Sequence, residues 1–471
     1  MHARRTLAER DTMNTTSDHP QTAARVPPGR VSSESWIALA LLTAAYTISF
    51  VDRTAVSVVQ DRIKAELLLT DWQIGLMIGP AFAIVYSLAG LPLARLAERR
   101  DRARLLAWCV GVWSIMAMAC GQARSFLGLF VARMGVGIGE AGGNPASHSL
   151  IADYFPETRR STAIAIYTLG APLGAFLGAA GTGWLAGQMG WRNAFLMLGI
   201  PGFVLVVMIL LWLKDPVRGG IRTRSERLDE QVPAFGTVAL ELLRNSAFRH
   251  LVWGGSLVVL VGYCLAAFLP ALLVRSYGLP LAQVGLWTGL AGGFGGGIGT
   301  LAGGFVGDRW AAGRPPRLAL ACAFAVLPAP FLIAGGILSG ELHFAVGGCF
   351  LGMIAIYAYV APAFAQVHAL AGDRSRATVT SIYYLVTNLV GLGIGPPLLG
   401  ALSDVWARQW LGVDAAGFVQ ACLTPGSAPQ PGCAPAMAHG MEMALLTMSL
   451  LPLAASAHFL IVARRYRQQG G

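Results

Sequence analysis

Charged side chains are scarce in this chain, since only 13% of its 471 residues are Asp, Glu, Lys or Arg. A soluble globular protein usually carries about 25%, so the composition excludes a water-facing surface of ordinary size. Apolar runs of roughly 20 residues recur instead, and a helix of that length crosses about 30 Å of hydrocarbon. With a mean hydropathy of +0.58, the chain is predicted to have the bilayer as its main solvent.

The hydropathy pattern predicts an all-α membrane protein with twelve transmembrane helices. We place them at 36–60, 72–94, 105–121, 126–150, 162–185, 191–213, 250–273, 284–306, 318–338, 344–368, 377–402 and 443–462. The predicted organisation is a disordered cytoplasmic tail (1–35), a six-helix bundle (36–213), a charged cytoplasmic linker (214–249), a second six-helix bundle (250–463) and a short cytoplasmic tail (464–471).

The net charge of +11 is distributed unevenly across the predicted membrane. If the N-terminus is cytoplasmic, most Lys and Arg fall on inner segments, and the outer loops hold only Arg62, Lys64, Arg124, Arg192, Arg275 and Arg408. This asymmetry follows the positive-inside rule and predicts that both termini are cytoplasmic, in the cell (inner) membrane. Membrane topology therefore explains the excess of positive charge, and a nucleic-acid partner is not required to account for it.

Several familiar kinds of site are missing. The first 35 residues lack the apolar core of a cleavable signal peptide, and the eight histidines show no metal-binding spacing. The glycine-rich stretch 292–299 lacks the Gly-Lys-Ser/Thr ending of a phosphate-binding loop and lies inside a predicted span. We expect no enzyme activity, no metal and no cofactor other than a proton as coupling ion.

Two of the seven cysteines differ from the rest. Five lie within predicted spans, where cysteine usually acts as a small buried hydrophobe. Cys422 and Cys433 lie in the long outer loop before the last helix. In an oxidising compartment they are able to pair, but the sequence leaves open whether they do.

The chain contains an internal repeat. Gly90, Arg95 and Arg100 recur at one constant offset as Gly304, Arg309 and Arg314, and a second match aligns 160–167 with 376–383. Both matches fall at equivalent places in the hydropathy pattern. Two related six-helix halves joined by a cytoplasmic loop describe a carrier whose substrate site lies near mid-bilayer between the halves.

Local motifs resemble those of the major facilitator superfamily. The segment 304–309, with Asp308 and Arg309, resembles the family's loop signature, in which acid and base brace neighbouring helix ends. The first-half counterpart keeps Arg95 but has Ala94 where Asp is usual. Gly170 to Gly174 resembles a Gly-Pro motif associated with antiporters, although a helix kink with small-residue packing explains those residues slightly better.

A narrower resemblance rests on the first and fourth helices. Asp52 and Arg53 in the first, and Arg133 followed by Glu140 and Ala141 in the fourth, resemble the spinster branch. That branch includes exporters of sphingosine-1-phosphate and lysophospholipids. Organic-anion symporters of the same superfamily share an Asp-Arg pair and a Glu-Ala pair at these places, so the resemblance also allows that function.

Four charged residues lie deep inside the predicted spans: Asp52, Arg53, Arg133 and Glu140. Each costs about 2.5–3.5 kcal/mol at a helix centre on insertion scales, so they must neutralise one another or face water. A rise of 1.5 Å per residue puts all but Arg133 near mid-depth, with Arg133 nearer the outside. The simplest pairing joins Arg53 to Glu140 and leaves Asp52, about 100° around the helix, free to exchange protons.

This arrangement predicts linked proton and substrate binding. Glu140 stays ionised while it is paired with Arg53, and it becomes protonatable when an anionic substrate takes the arginine. Asp52 and Glu140 are the expected coupling residues, and Arg53 and Arg133 are the expected head-group ligands. A membrane-embedded enzyme is not favoured, because no metal cluster or nucleophile–base pair is found at the depth of these charges. A channel or lipid scramblase remains an alternative.

The spans of the second half contain no charged residue at depth. A cavity charged on one wall and apolar on the other suits an amphipathic substrate with a phosphate or carboxylate head, such as a lysophospholipid or a sphingosine-1-phosphate-like lipid. An organic-anion symporter or a drug exporter is the alternative within the carrier class. We expect a monomer whose partners are this substrate and membrane lipids. The candidate cavity residues are Tyr46, Asn144, His148, Phe268, Tyr357, Tyr383 and Asn388.

Overall fold

The computed structural model describes residues 31–216, 235–311, 314–370, 376–424 and 430–469, and within these ranges the chain forms helices and no strand. The first half contains α1 (Ser33–Leu67), α2 (Asp71–Ile78), α3 (Pro80–Arg99), α4 (Arg102–Gln122), α5 (Phe126–Ala141), α6 (Gly143–Tyr154), α7 (Glu157–Thr168) and α8 (Gly170–Trp212). The predicted N-terminal tail lies almost wholly outside the described residues, whereas 235–249 of the predicted linker and 464–469 of the predicted C-terminal tail are described and mostly helical.

The second half begins after the linker. It contains α9 (Phe235–Arg244), α10 (Ser246–Tyr277), α11 (Leu281–Gly289), α12 (Gly296–Val306), α13 (Pro315–Val326), α14 (Ala329–Leu338), α15 (Leu342–Tyr357), α16 (Val360–Leu370), α17 (Arg376–Leu411), α18 (Ala415–Cys422), α19 (Cys433–Ser449) and α20 (Leu451–Gln469). A π-helical turn, Leu290–Gly295, joins α11 to α12, and another, Gly307–Ala311, follows α12.

Nine helical segments of the described chain are long and apolar enough to cross a membrane. One of them, 158–212, includes two predicted spans that meet at Gly190, whose φ of 80° breaks the helix. The predicted fourth and eighth spans are not among the nine; Gly142 lies between α5 and α6 in the fourth, and a π-helical turn lies between α11 and α12 in the eighth. The protein is a multi-pass membrane protein, and the count of twelve stays a prediction.

Two helices extend further outward than the sequence predicted. α1 ends at Leu67 rather than at residue 60, and α10 ends at Tyr277 rather than at residue 273. α2 begins close behind α1 with a capping box, in which Thr70 accepts from the Gln73 amide and Gln73 accepts from the Thr70 amide. Charges that the sequence assigned to outer loops therefore lie on helices.

The outer segment before α19 is tied by a disulfide. Cys422 at the end of α18 bonds to Cys433 at the start of α19, so the pairing that the sequence left open is present. Both cysteines are buried in a small apolar cluster with Phe418, Ala407 and Ala436.

The two halves pack closely at their outer ends through glycine. On one side of the interface, Gly75 faces the backbone of Pro396 and Pro397, and Gly400 faces the backbone of Asp71. On the other side Gly285 of α11 lies against the backbone of Ala179 in α8. An added Cβ at these places would collide with main-chain atoms, so only glycine permits the approach.

The contacts between the two halves differ between the predicted outer and inner ends of the interface. Among the described residues, hydrogen bonds and ion pairs around Asp71 and Arg275 join one half to the other toward the predicted outer end. Toward the inner end Tyr384 of α17 and His148 of α6 are exposed. The halves are therefore in contact at the end that the sequence predicts to be outer, and exposed side chains lie between them at the end that it predicts to be inner.

A charged cavity between the two halves

A cavity of about 130 Å³ lies where the halves separate. The first half contributes charge to its wall through Arg53 and Arg133, whereas the second half contributes no charged residue. Hydroxyl groups are supplied by Thr54, Ser57, Tyr263, Thr288 and Tyr357, and apolar side chains such as Phe50, Phe82, Leu265, Leu269, Met353 and Leu392 form most of the rest.

Arg53 forms the predicted pair with Glu140. Its Nε donates to Oε2 of Glu140 at 2.7 Å, and the side chains are 22% and 1% exposed. The arginine thus reaches the cavity while the glutamate lies behind it. Among the described residues only Nε of this guanidinium has a hydrogen-bond acceptor, so its remaining N–H groups are available to a ligand.

Aromatic rings surround the Arg53 guanidinium. Its central carbon lies 4.8 Å from the ring centre of Phe50, 4.6 Å from that of Phe82 and 5.3 Å from that of Tyr86. Each contact lies within the distance at which a ring face attracts a cation. The rings fix the charge in place without neutralising it, which preserves its attraction for an anion.

Asp52 faces away from Arg53, as consecutive helical residues must. It is 2% exposed, and neither carboxylate oxygen has a hydrogen-bond partner within the described structure. Arg133 donates from Nη1 to the main-chain oxygen of Asp52 at 3.2 Å. Arg133 was expected nearer the outside, but its long side chain spans the difference in depth. An unpaired buried carboxylate is costly in its ionised form.

A polar network lies behind the Arg53–Glu140 pair. Asn144 donates to the hydroxyl of Tyr86 at 3.0 Å and accepts from that of Tyr167 at 2.6 Å. Tyr167 stacks on Tyr46 with ring centres 4.7 Å apart, and His148 meets its edge at 5.3 Å. The structure thus brings Tyr46, Asn144 and His148 together around a tyrosine that the sequence analysis did not select.

Of the cavity residues predicted in the second half, two lie at or near the cavity and two lie in the apolar core. Tyr357 lines the cavity, and Asn388 accepts a 2.9 Å bond from Tyr263, another lining residue. Phe268 and Tyr383 are instead buried in the apolar core and lie outside the described cavity lining. Tyr383 occupies space left by Gly255 and packs against Phe364. Residue type alone did not reveal which face of each helix meets the cavity.

The loop-motif residues are not braced in this conformation. Arg95, Asp308 and Arg309 are exposed, and no ion pair involves them within the described part of the chain. Arg309 lies over the ring of Phe305, 4.7 Å from its centre. This agrees with the separation of the halves on the inner side.

Sequence reasoning missed the rings around Arg53. Phe82 and Tyr86 lie one helical turn apart on α3, so their i, i+4 spacing places both on one face. That spacing was visible in the sequence, but nothing in it related this face to the first helix.

Residues 42–396 match the family model described as Major Facilitator Superfamily. The chain belongs to this superfamily. It is 34% identical to a protein of Mycolicibacterium smegmatis described as an MFS-type efflux pump, over 81% of this chain and 87% of that protein. It is 27% identical to protein spinster of Drosophila melanogaster, over 80% and 64%.

Two further relatives bear on this major facilitator. A probable L-galactonate transporter of Escherichia coli is 26% identical over 59% of this chain and 63% of that protein. A bacterial homologue of the human lysosomal transporter spinster, solved inward-facing and unoccupied, is 28% identical with a TM-score of 0.85, covering 93% of this chain and 99% of that one. The all-α fold and the resemblance to the spinster family are confirmed, and the protein is a transporter rather than an enzyme.

Proposed function

We propose that this major facilitator is a proton-coupled secondary carrier for an amphipathic anion of the lysophospholipid or sphingosine-1-phosphate type. The observation that carries the proposal is the position of Arg53 between the cavity and Glu140. A guanidinium with free N–H groups binds a phosphate or carboxylate through paired hydrogen bonds.

Coupling follows from competition for Arg53. When an anionic head group binds the guanidinium, Glu140 loses its buried partner and takes up a proton to avoid an isolated charge. Release of the substrate restores the ion pair and returns the proton. Asp52 and Arg133, next to this pair, are the proposed second proton carrier and second head-group ligand.

The opposite wall favours a lipid-like tail. Leu265, Leu269 and Met353 line the second-half side of the cavity with Tyr357, and burial of an alkyl chain there contributes about 0.8 kcal/mol per methylene. A short sugar acid would place its hydroxyl groups against this surface. An organic-anion symporter is the second candidate because Asp52, Arg53, Glu140 and Ala141 recur in that group.

Reconstitution into sealed vesicles tests the substrate class. A fluorescent lysophospholipid and a radiolabelled sugar acid are offered in parallel, with and without a pH difference across the membrane. Albumin then extracts whatever lipid remains in the accessible leaflet. We expect protein-dependent movement of the lysolipid that responds to the pH difference.

The control is the same protein with Arg53→Ala, which removes the proposed head-group ligand. Sugar-acid uptake without lysolipid movement would assign the protein to the second candidate. Equal lysolipid movement by wild type and Arg53→Ala would contradict the proposed site.

A further inference from the structure

Charged residues from both halves meet at the outer end of the interface. The first half supplies Asp61 and Lys64 from α1 and Asp71 from α2, and the second half supplies Arg275 from α10 and Asp404 from α17. We call these five residues the outer latch. Asp71 is 1% exposed, and the side chains of Lys64 and Arg275 are 6% and 8% exposed.

Arg275 is the centre of the outer latch. Its Nη1 donates to Oδ2 of Asp71 at 2.7 Å, and its Nη2 donates to Oδ1 of the same carboxylate at 2.8 Å. Its Nε also donates to Oδ1 of Asp61 at 2.9 Å. A guanidinium held by two carboxylates in this forked geometry forms strong, directional hydrogen bonds.

Asp404 completes the outer latch in a different way. Its two carboxylate oxygens accept from the main-chain amides of Asp71 and Trp72, at 3.1 and 2.9 Å. These are the first amides of α2, so a carboxylate of one half caps a helix of the other. Three carboxylates face two cations in the latch, and the positive end of α2 offsets part of the difference.

Opening of the outer side would divide these contacts unequally. Lys64 and Asp71 belong to the same half and bond at 2.6 Å, so Asp71 keeps a cation when the halves part. Arg275 leaves with the second half and loses both carboxylates, and Asp404 loses both amides. Opening therefore leaves the second-half residues Arg275 and Asp404 without their latch partners, whereas Asp71 in the first half still has Lys64.

We propose that the outer latch is the outer gate of the carrier, and that Arg275 and Asp404 are positioning residues which hold the inward-open state. They contact no substrate in the central cavity. They contribute to the free-energy difference between the two states by stabilising the inward-open state relative to the outward-open state. This inference rests on the proposed carrier function, but its test reads conformation and needs no substrate.

The test measures access to Ser57, a buried residue that lines the cavity one turn outward of Arg53. A Ser57→Cys protein is labelled in intact cells by a membrane-impermeant maleimide, which reaches this position from outside only when the outer side opens. Adding Arg275→Gln should raise the labelling rate about tenfold or more, since breaking a buried ion pair is strongly unfavourable for the closed state. Asp404→Asn should raise it to a smaller extent.

The matched control is Arg192→Gln on the same background. Arg192 also forms an outer ion pair, with Glu66 at 2.8 Å, but both residues belong to the first half. The control should label at the parent rate, and all variants must elute as single species in detergent. Labelling of Arg275→Gln and Asp404→Asn at the parent rate would overturn the proposal, as would faster labelling of Arg192→Gln to the same degree. Failure of lysolipid transport alone would contradict the proposed substrate and leave this result intact.

Discussion

Asp52 and Arg53 are neighbours in sequence, yet the helix gives them opposite surroundings. Arg53 reaches an open cavity, is surrounded by rings and holds one carboxylate. Asp52 is buried with no hydrogen-bond partner for its carboxylate among the described residues. Under the proposed function, the two residues would separate the tasks of a coupled carrier within a single turn of helix, with Arg53 binding an anion and Asp52 holding a proton.

At the scale of single residues, Glu140→Gln tests the coupling. The amide cannot ionise, so Arg53 remains without a competing carboxylate and should keep its affinity for the substrate. We expect exchange of labelled for unlabelled substrate to persist while accumulation driven by a pH difference is lost. Uptake into vesicles at equal and unequal pH measures both.

The control for this variant is Glu66→Gln. Glu66 lies at the outer end of α1, bonded to Trp191 and Arg192 and away from the cavity, and its replacement should leave pH-driven accumulation unchanged. A Glu140→Gln protein that accumulates substrate as wild type does would rule out Glu140 as the coupling residue.

At the scale of helices, the contact between α8 and α11 depends on glycine. Gly285→Leu would force a side chain into the backbone of Ala179, and overpacking of this kind typically costs about 1–3 kcal/mol. We expect a lower Tm in detergent and slower transport. Gly181→Leu is the control, because that position on α8 faces open space, and it should keep the wild-type Tm. Equal Tm values for the two variants would contradict the close packing.

The same scale shows what the sequence could predict. Counting depth along α1 and α5 was enough to pair Arg53 with Glu140, because helix rise is nearly constant. The outer latch was missed because the predicted α1 stopped too early and its last charges were assigned to a loop. A signal was present: Ser57, Gln60, Asp61 and Lys64 recur at i, i+3, i+4 and i+7 and form a polar stripe on one helical face.

The second-half wall was harder to predict. Phe268 and Tyr383 have the residue types of a binding cavity, but both point into the core. In a bundle buried between lipid and protein, aromatic residues face all sides, so hydropathy does not distinguish the cavity face. Only the packing partners, such as Gly255 beside Tyr383, fix the orientation.

At the scale of the whole molecule, the interface between the halves is closed at one end and open at the other. This arrangement is expected of a carrier and not of a channel. A carrier must change conformation for each transported molecule, whereas a channel or scramblase opens a continuous path. We expect counterflow in sealed vesicles, in which labelled substrate enters faster when unlabelled substrate is trapped inside. Entry at the same rate with and without trapped substrate would favour the channel or scramblase reading.

The disulfide between Cys422 and Cys433 offers a test of the predicted orientation of the chain in the membrane. Such a bond persists where the surroundings are oxidising and is rare where thiols are kept reduced. If the loop reaches the outer compartment, both sulfurs are blocked; in an inverted molecule they would remain thiols. A gel shift with a polyethylene-glycol maleimide, before and after reduction, would therefore report orientation from covalent chemistry alone, in a population of cells and without any transport assay.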